Sequence, residues 1–406
     1  MHLFDLKSMV PDKLSLPSKI YLVAMIFNGF GNGVVNVVLQ LYLLSLGFNG
    51  EAIGSIIMMV AIGAALLTIP VGILADRYGK KKIVLFGFSL WWLSAVFALT
   101  TRSIEVFRLA FLLIGVSNAF SASWAPIYSS FFESEDLDRA FGLLGFLNIV
   151  SMSLGSLLGF IPPMLVANYD FTFQSAYWTV LTLGVGISFL QAPFFMWSLR
   201  GVVDSRREEG FTFTLKSKSV VSKFSLFTIL GSLGFGFFFS LFPYYVNRKF
   251  GIESDALGLL FVISNLVSAG ASVLAARVSK RFGTIKATVM AIGFSVPFYL
   301  LIPLASSFTW VSLLYISRAG FRAMANPLET SLFMKLIQEE EKATANSIRT
   351  MAMQGGNVVG PWFGGQIMGH ISLDVPVYVG AGFYAVQATS FYFLFRKEKK
   401  NQTANS

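Results

Sequence analysis

The chain has 406 residues, 55% of them hydrophobic and only 13% charged, with a net charge of +10 and no cysteine. Soluble domains carry about 25% charged residues, so a soluble globular protein is excluded. The missing cysteines exclude disulfides, thiol catalysis and cysteine-ligated metal.

The first nineteen residues, MHLFDLKSMVPDKLSLPSK, lack an apolar core followed by a small-residue cleavage site. No cleaved signal peptide is expected there. Beyond them the apolar residues fall in blocks long enough to cross a hydrocarbon core of about 30 Å at about 1.5 Å per residue. The predicted spans are 20–46, 52–75, 83–100, 105–131, 140–166 and 176–199, then 224–246, 256–276, 287–304, 309–336, 345–368 and 377–395. The expected fold is an all-α polytopic membrane protein of twelve transmembrane helices. It divides into an N-terminal six-helix bundle (1–199), a charged linker (200–223) and a C-terminal six-helix bundle with a basic tail (224–406).

Positive charge orients the chain. With both termini in the cytoplasm, 24 of the 31 Lys and Arg fall on that side and three, Arg102, Arg248 and Lys249, on the other. Cytoplasmic loops carry such an excess. The basic balance is therefore a topology signal, with lipid as its partner and no nucleic acid. A multi-pass protein of the cell membrane is expected, as a monomer.

Span 1 carries Asn28, Asn32, Asn36 and Gln40 at steps of four. Each step advances about 40° around a helix, so the four form a slowly winding polar stripe. Between spans 2 and 3 lies GILADRYGKKK, residues 72–82, and ARVSKRFGTIK repeats part of it 204 residues later. Arg77, Gly79 and Lys82 match Arg281, Gly283 and Lys286. A second pairing, SMSLGSLLGF (151–160) with GNVVGPWFGG (356–365), is offset by 205. Two matches in near register point to halves related by duplication. Gly356, Gly360, Pro361, Gly364 and Gly365 suit a seam where helices approach closely and bend. In span 4, Arg108 is expected to reach the outer headgroups. The aromatic run GFGFFFSLFPYY of span 7 (234–245) is expected to face lipid.

Span 10 contains SRAGFRAMANPLE, residues 317–329. Arg318, Arg322, Asn326 and Glu329 fall within about 80° on a helical wheel. From a start near Thr309, Arg318 lies about 13 Å deep and Arg322 about 20 Å, so neither snorkels out easily. Each costs at least about 2.5–3.5 kcal/mol in the membrane, which makes a functional site the default reading. Glu329 falls about 30 Å along, toward the cytoplasmic rim, and Pro327 marks an expected kink or break.

The loop 72–82, between the second and third of twelve spans, resembles the signature of the major facilitator superfamily. The resemblance extends over nearly the whole chain through the six-linker-six organisation. It implies a secondary active transporter working by alternating access, with a gating loop at Gly72, Asp76, Arg77 and Gly79. It also implies that this loop latches the two halves, with Arg349 as the dock for Asp76. Span 1 lines the central cavity in that family, so Asn28, Asn32, Asn36 and Gln40 become substrate-binding candidates beside Arg318, Arg322 and Asn326, with Glu329 as a site for a coupling proton. The family's antiporters carry the glycine pattern of span 11 in their fifth helix, where this chain keeps only Gly155 and Gly159.

The excess of Arg over carboxylate at depth favours a small organic or inorganic anion as substrate. The first alternative is efflux of drugs or amphipathic compounds by proton antiport. Two features weigh against it: span 1 has amides but no carboxylate, and Phe111 stands where R-x-x-x-G would need arginine before Gly115. A transport-incompetent receptor is the alternative of another class. An enzyme is not expected, nor a cofactor or metal. The two histidines, His2 and His370, lie outside the spans, and no G-x-x-x-x-G-K-[ST] loop occurs.

Overall fold

The computed structural model describes residues 11, 13–120, 124–133, 136–200, 216–338 and 341–395. Among these, sixteen α-helices occur and no strand. In chain order they are α1 (Leu16–Ser45), α2 (Gly50–Tyr78), α3 (Lys80–Thr100), α4 (Ile104–Phe120), α5 (Trp124–Ser129), α6 (Leu137–Leu157), α7 (Ile161–Asn168) and α8 (Phe173–Phe189). There follow α9 (Gln191–Ser198), α10 (Lys218–Gly236), α11 (Phe242–Phe250), α12 (Ser254–Phe282), α13 (Thr284–Leu301), α14 (Phe308–Leu336), α15 (Lys342–His370) and α16 (Val375–Phe395). Eight helical runs among the described residues are long and apolar enough to cross a membrane. Helix α14 is not one of them, which fits the polar stripe that it carries.

Local chemistry sets several boundaries. Ser15 accepts the Ser18 N–H at the start of α1, and Ser307 accepts the Trp310 N–H at the start of α14, satisfying donors that a helix start leaves unpaired. Gly79 precedes α3 at φ 97° and Gly283 precedes α13 at φ 80°, a region that a side chain disfavours. These are the two glycines aligned across the repeat. The surroundings of Gly72 and the side chains of Asp76 and Arg77 lie outside the described residues, and with them most of the expected gating loop. Helices α14 and α15 run through Pro327 and Pro361 without interruption. Arg108 ion-pairs with Glu105 one turn earlier, at 2.7 Å.

The contacts divide the chain into two compact units. Unit 1 is 1–46, 66–211 and 253–262, and unit 2 is 47–65, 212–252 and 263–406. Within unit 1, α1 packs chiefly on α6 and α8, and α3 on α4. Within unit 2, α10 packs chiefly on α15 and α16, and α13 on α14.

Glycine makes the central seams of both units. A Cβ on Gly33 would meet the Met152 carbonyl, and one on Gly155 would meet the Phe30 carbonyl. In unit 2, Gly356 faces Ser232, Gly360 faces Gly236 and Gly364 faces the Phe237 carbonyl. Gly365 lies against Gly50, and Gly54 against the Pro361 carbonyl. Apart from Gly356, which meets the Ser232 side chain, these are backbone-to-backbone approaches that small residues permit.

The aromatic run of span 7 departs from expectation. Helix α10 ends at Gly236, one turn of 3-10 helix covers Phe239–Leu241, and α11 restarts at Phe242 with Pro243 in its first turn. Phe237, Phe238, Phe239, Phe242, Tyr244 and Tyr245 are all buried. The break turns successive rings inward instead of leaving them on one lipid-facing side.

Outside the membrane-spanning helices, the Glu341 carboxylate accepts the backbone N–H groups of Lys216 and Ser217, just ahead of α10. The Lys216 N–H holds the Glu341 carboxyl below its usual range, against burial, which raises it, with Ser217 adding to the lowering. A depressed native pKa stabilises above the unfolded value of about 4.3 and is lost as pH falls through the native value. Glu341→Gln should therefore lower the melting temperature at pH 7, with the gap to wild type closing as the pH falls below about 4. A gap independent of pH in melts followed by size-exclusion would refute this. Gly155→Val and Gly360→Val should each cost about 1–3 kcal/mol or more by overpacking. Gly186 has open space around it, so Gly186→Ala should stay within about 1 kcal/mol of wild type in the same melts.

Candidate functional site

Helix α14 presents its stripe to a cleft within unit 2. Arg318, Arg322, Asn326 and Glu329 all line it, together with α10, α15 and α16, around a volume of about 400 Å³. The 3.6-residue period alone puts these four on one face; the other walls come from distant sequence.

Arg318 is 5% exposed. One guanidinium nitrogen donates to the Tyr384 hydroxyl at 2.5 Å, and Cζ lies over the Phe239 ring, 3.6 Å from its centroid. The Tyr384 and Tyr299 rings stand at 5.0 and 5.8 Å. Such rings attract a cation through their quadrupole, most strongly where water is excluded. An aromatic cage and one hydroxyl thus hold this charge, while its Nε has no hydrogen-bond partner.

Arg322 takes a different partner. It donates to both oxygens of Glu329, at 2.7 and 3.5 Å, seven residues along the same helix. Glu329 is 3% exposed, while the Arg322 side chain keeps 20% exposure. The Tyr384 hydroxyl that holds Arg318 is within electrostatic reach of Arg322 as well. The carboxylate predicted toward the cytoplasmic rim is therefore packed and paired in the wall of the cleft.

Sequence reasoning missed several walls. Arg349 lines the cleft with its guanidinium 5.3 Å from the Phe333 ring and within electrostatic reach of Arg322 and Glu329. Three guanidinium groups thus face one carboxylate. Gln387 is 1% exposed, donates to the Phe227 carbonyl at 3.2 Å and leaves its oxygen without a partner. Arg349 was visible as a cation inside a predicted span. Nothing in the sequence tied it, Tyr384 or Gln387 to α14.

Asn28 and Asn32 line a pocket within unit 1, and Asn36 and Gln40 do not. The Asn32 amide donates to the Asn28 side chain and carbonyl, both at 3.0 Å.

Breaking a buried ion pair on one side leaves the other charge stranded, at up to about 3–5 kcal/mol. Arg322→Gln alone should destabilise more than the double variant Arg322→Gln/Glu329→Gln. If thermal melts of the two coincide, the pair is not carrying stability.

Two sets of relatives place this geometry among known proteins. The model of the Major Facilitator Superfamily matches residues 21–240 and 224–406. Multidrug resistance protein 1 of Bacillus subtilis is 22% identical over 372 residues, 90% of this chain and 93% of that protein. Quinolone resistance protein NorA of Staphylococcus aureus is 21% identical over 363 residues, 87% and 89% of the two chains. Among solved structures, the POT family transporter PepTSo superposes with a TM-score of 0.77 at 12% identity, covering 96% of this chain and 99% of that one. The nucleoside transporter NupG gives 0.72 at 14%, covering 94% and 99%. With a family model matched along nearly its whole length and eight helical runs able to cross a membrane, the chain belongs to the major facilitator superfamily and is a multi-pass membrane transporter.

Proposed function

We propose that the chain is a secondary active transporter that carries a small organic or inorganic anion by alternating access. Its twelve spans form two six-helix bundles with both termini in the cytoplasm, and one proton is coupled through Glu329. The observation that carries this reading is the charge of the unit 2 cleft: Arg318, Arg322 and Arg349 against Glu329 alone. A cleft with such an excess draws in an anion, and a guanidinium offers a planar fork for carboxylate or phosphate.

The three arginines take different parts. Arg318, caged by Phe239 and Tyr384, supplies fixed positive potential. Arg322 already holds a carboxylate in the geometry that a substrate would adopt. An incoming anion displaces Glu329 from Arg322, and the freed carboxylate is the group that carries the coupled proton in this scheme. Anion and proton then cross together, and Glu329 returns to Arg322 when both have left.

A second reading, efflux of amphipathic compounds, draws on the drug-resistance names of the relatives and on Phe235 and Met353 in the same cleft. Drug susceptibility of cells with and without the gene separates the two. A receptor would move no substrate at all.

Uptake into proteoliposomes, with inorganic phosphate, lactate and benzoate as probes under an imposed pH gradient, tests the anion reading. Arg322→Ala should abolish uptake of whichever anion is carried. Glu329→Gln should keep anion exchange and lose accumulation driven by the gradient. Uptake of every transported anion unchanged in Arg322→Ala overturns the role of this cleft.

A further inference from the structure

Unit 1 contains a pocket of different chemistry. It is lined by residues of α1, α3, α4, α5, α8 and α9, has a volume of about 170 Å³, and no charged side chain is among its described lining residues. Its polar groups are amides and hydroxyls: Asn28, Asn32, Asn118, Gln191, Ser117 and Ser188. Its flat walls are Phe88, Trp91 and Trp124, with Phe88 and Trp124 stacked at 5.4 Å between centroids.

Two buried polar groups at this pocket lack partners. Gln191 is 2% exposed and its side-chain oxygen accepts no hydrogen bond. The Trp124 indole N–H is buried and donates none. Burying a polar group without a partner costs about 1–3 kcal/mol, so such groups commonly mark a ligand or a functional position. The serines differ: Ser117 donates to the Gly87 carbonyl at 2.8 Å and Ser188 to the Gly184 carbonyl at 3.0 Å. Asn32 is exposed while Gln191 is not, so the pocket leads from the accessible side of α1 into packed interior.

We propose that this pocket binds a small, neutral, planar solute bearing a carboxamide-like group. Size sets the first limit, since an apolar cavity of about 150 Å³ admits one benzene ring. The pocket therefore takes one six-membered ring with a small substituent. Charge sets the second: with no opposite charge in the wall, an ion entering it would lose its hydration uncompensated. Hydrogen bonding sets the third. The Gln191 side-chain oxygen can accept and the Trp124 N–H can donate, and both residues line the pocket, so a carboxamide offers each the partner that it lacks. This inference concerns unit 1 alone and does not rest on the anion reading of the unit 2 cleft.

Nicotinamide and nicotinate share a ring and differ in charge at neutral pH, which makes them suitable probes. Equilibrium dialysis of the radiolabelled compounds against the purified full chain in detergent should show saturable binding of nicotinamide, with nicotinate weaker by about tenfold or more. Gln191→Leu, which keeps the volume and removes the amide, should weaken nicotinamide by about tenfold, the worth of one buried hydrogen bond. Trp91→Leu is a second variant that removes a flat wall and leaves the amide in place. Both are judged only when they elute as a single species, and otherwise the comparison of the two probes on wild type decides. Non-saturable nicotinamide binding, equal affinity for nicotinate, or unchanged binding in both folded variants overturns the proposal. Failure here leaves anion uptake by the unit 2 cleft untouched, and loss of that uptake leaves this pocket untouched.

Discussion

A guanidinium group in a membrane helix has to be answered by something, and α14 carries two. Insertion costs of a few kilocalories per mole each leave the fold around α14 little freedom. Arg318 is answered by rings and a hydroxyl, Arg322 by a carboxylate on its own helix. Much of unit 2 follows from these two answers. Phe239 reaches Arg318 because α10 breaks after Gly236 and the chain turns through one 3-10 turn before α11. Tyr384 reaches it because α16 packs beside α10. The glycines of α15 let α10 lie close enough for the cleft to have a fourth wall.

How far this could be read from the sequence depends on whether the partners lie on one helix. The stripe of α14 was legible because its members share a helix and a period. The seams of α15 and α6 were legible because small residues at steps of four have one common use in membrane helices. The cage of Arg318 was not, since Phe239 and Tyr384 lie 79 and 66 residues away in sequence. The aromatic run of span 7 was misread for a related reason. A phenylalanine facing lipid and one facing the protein interior have the same composition, and only the break at Phe237–Leu241 decides between them. Of the four amides of α1, two line the unit 1 pocket. Three steps of about 40° carry Gln40 about 120° around the helix from Asn28, so the stripe winds past that pocket.

The two pockets differ in the charge of their walls. The unit 2 cleft is dominated by guanidinium groups, whereas amides, hydroxyls and indoles line the unit 1 pocket. Paired with a carboxylate, a charged wall can change state by exchanging a proton. A neutral wall can only match shape and hydrogen bonding. That difference separates a site suited to energy coupling from one suited to selection.

The glycine seams have a consequence for redesign. Where backbone meets backbone, as at Gly33, Gly155, Gly360 and Gly364, no side chain has room to be varied. Residues such as Thr228, Met353 and Asn357 border the cleft and stand off those seams. A library aimed at the cleft would spread its diversity over such wall positions and leave the seam glycines constant. The scaffold then keeps its helix spacing while the lining changes, which divides the chain into a part to conserve and a part to search.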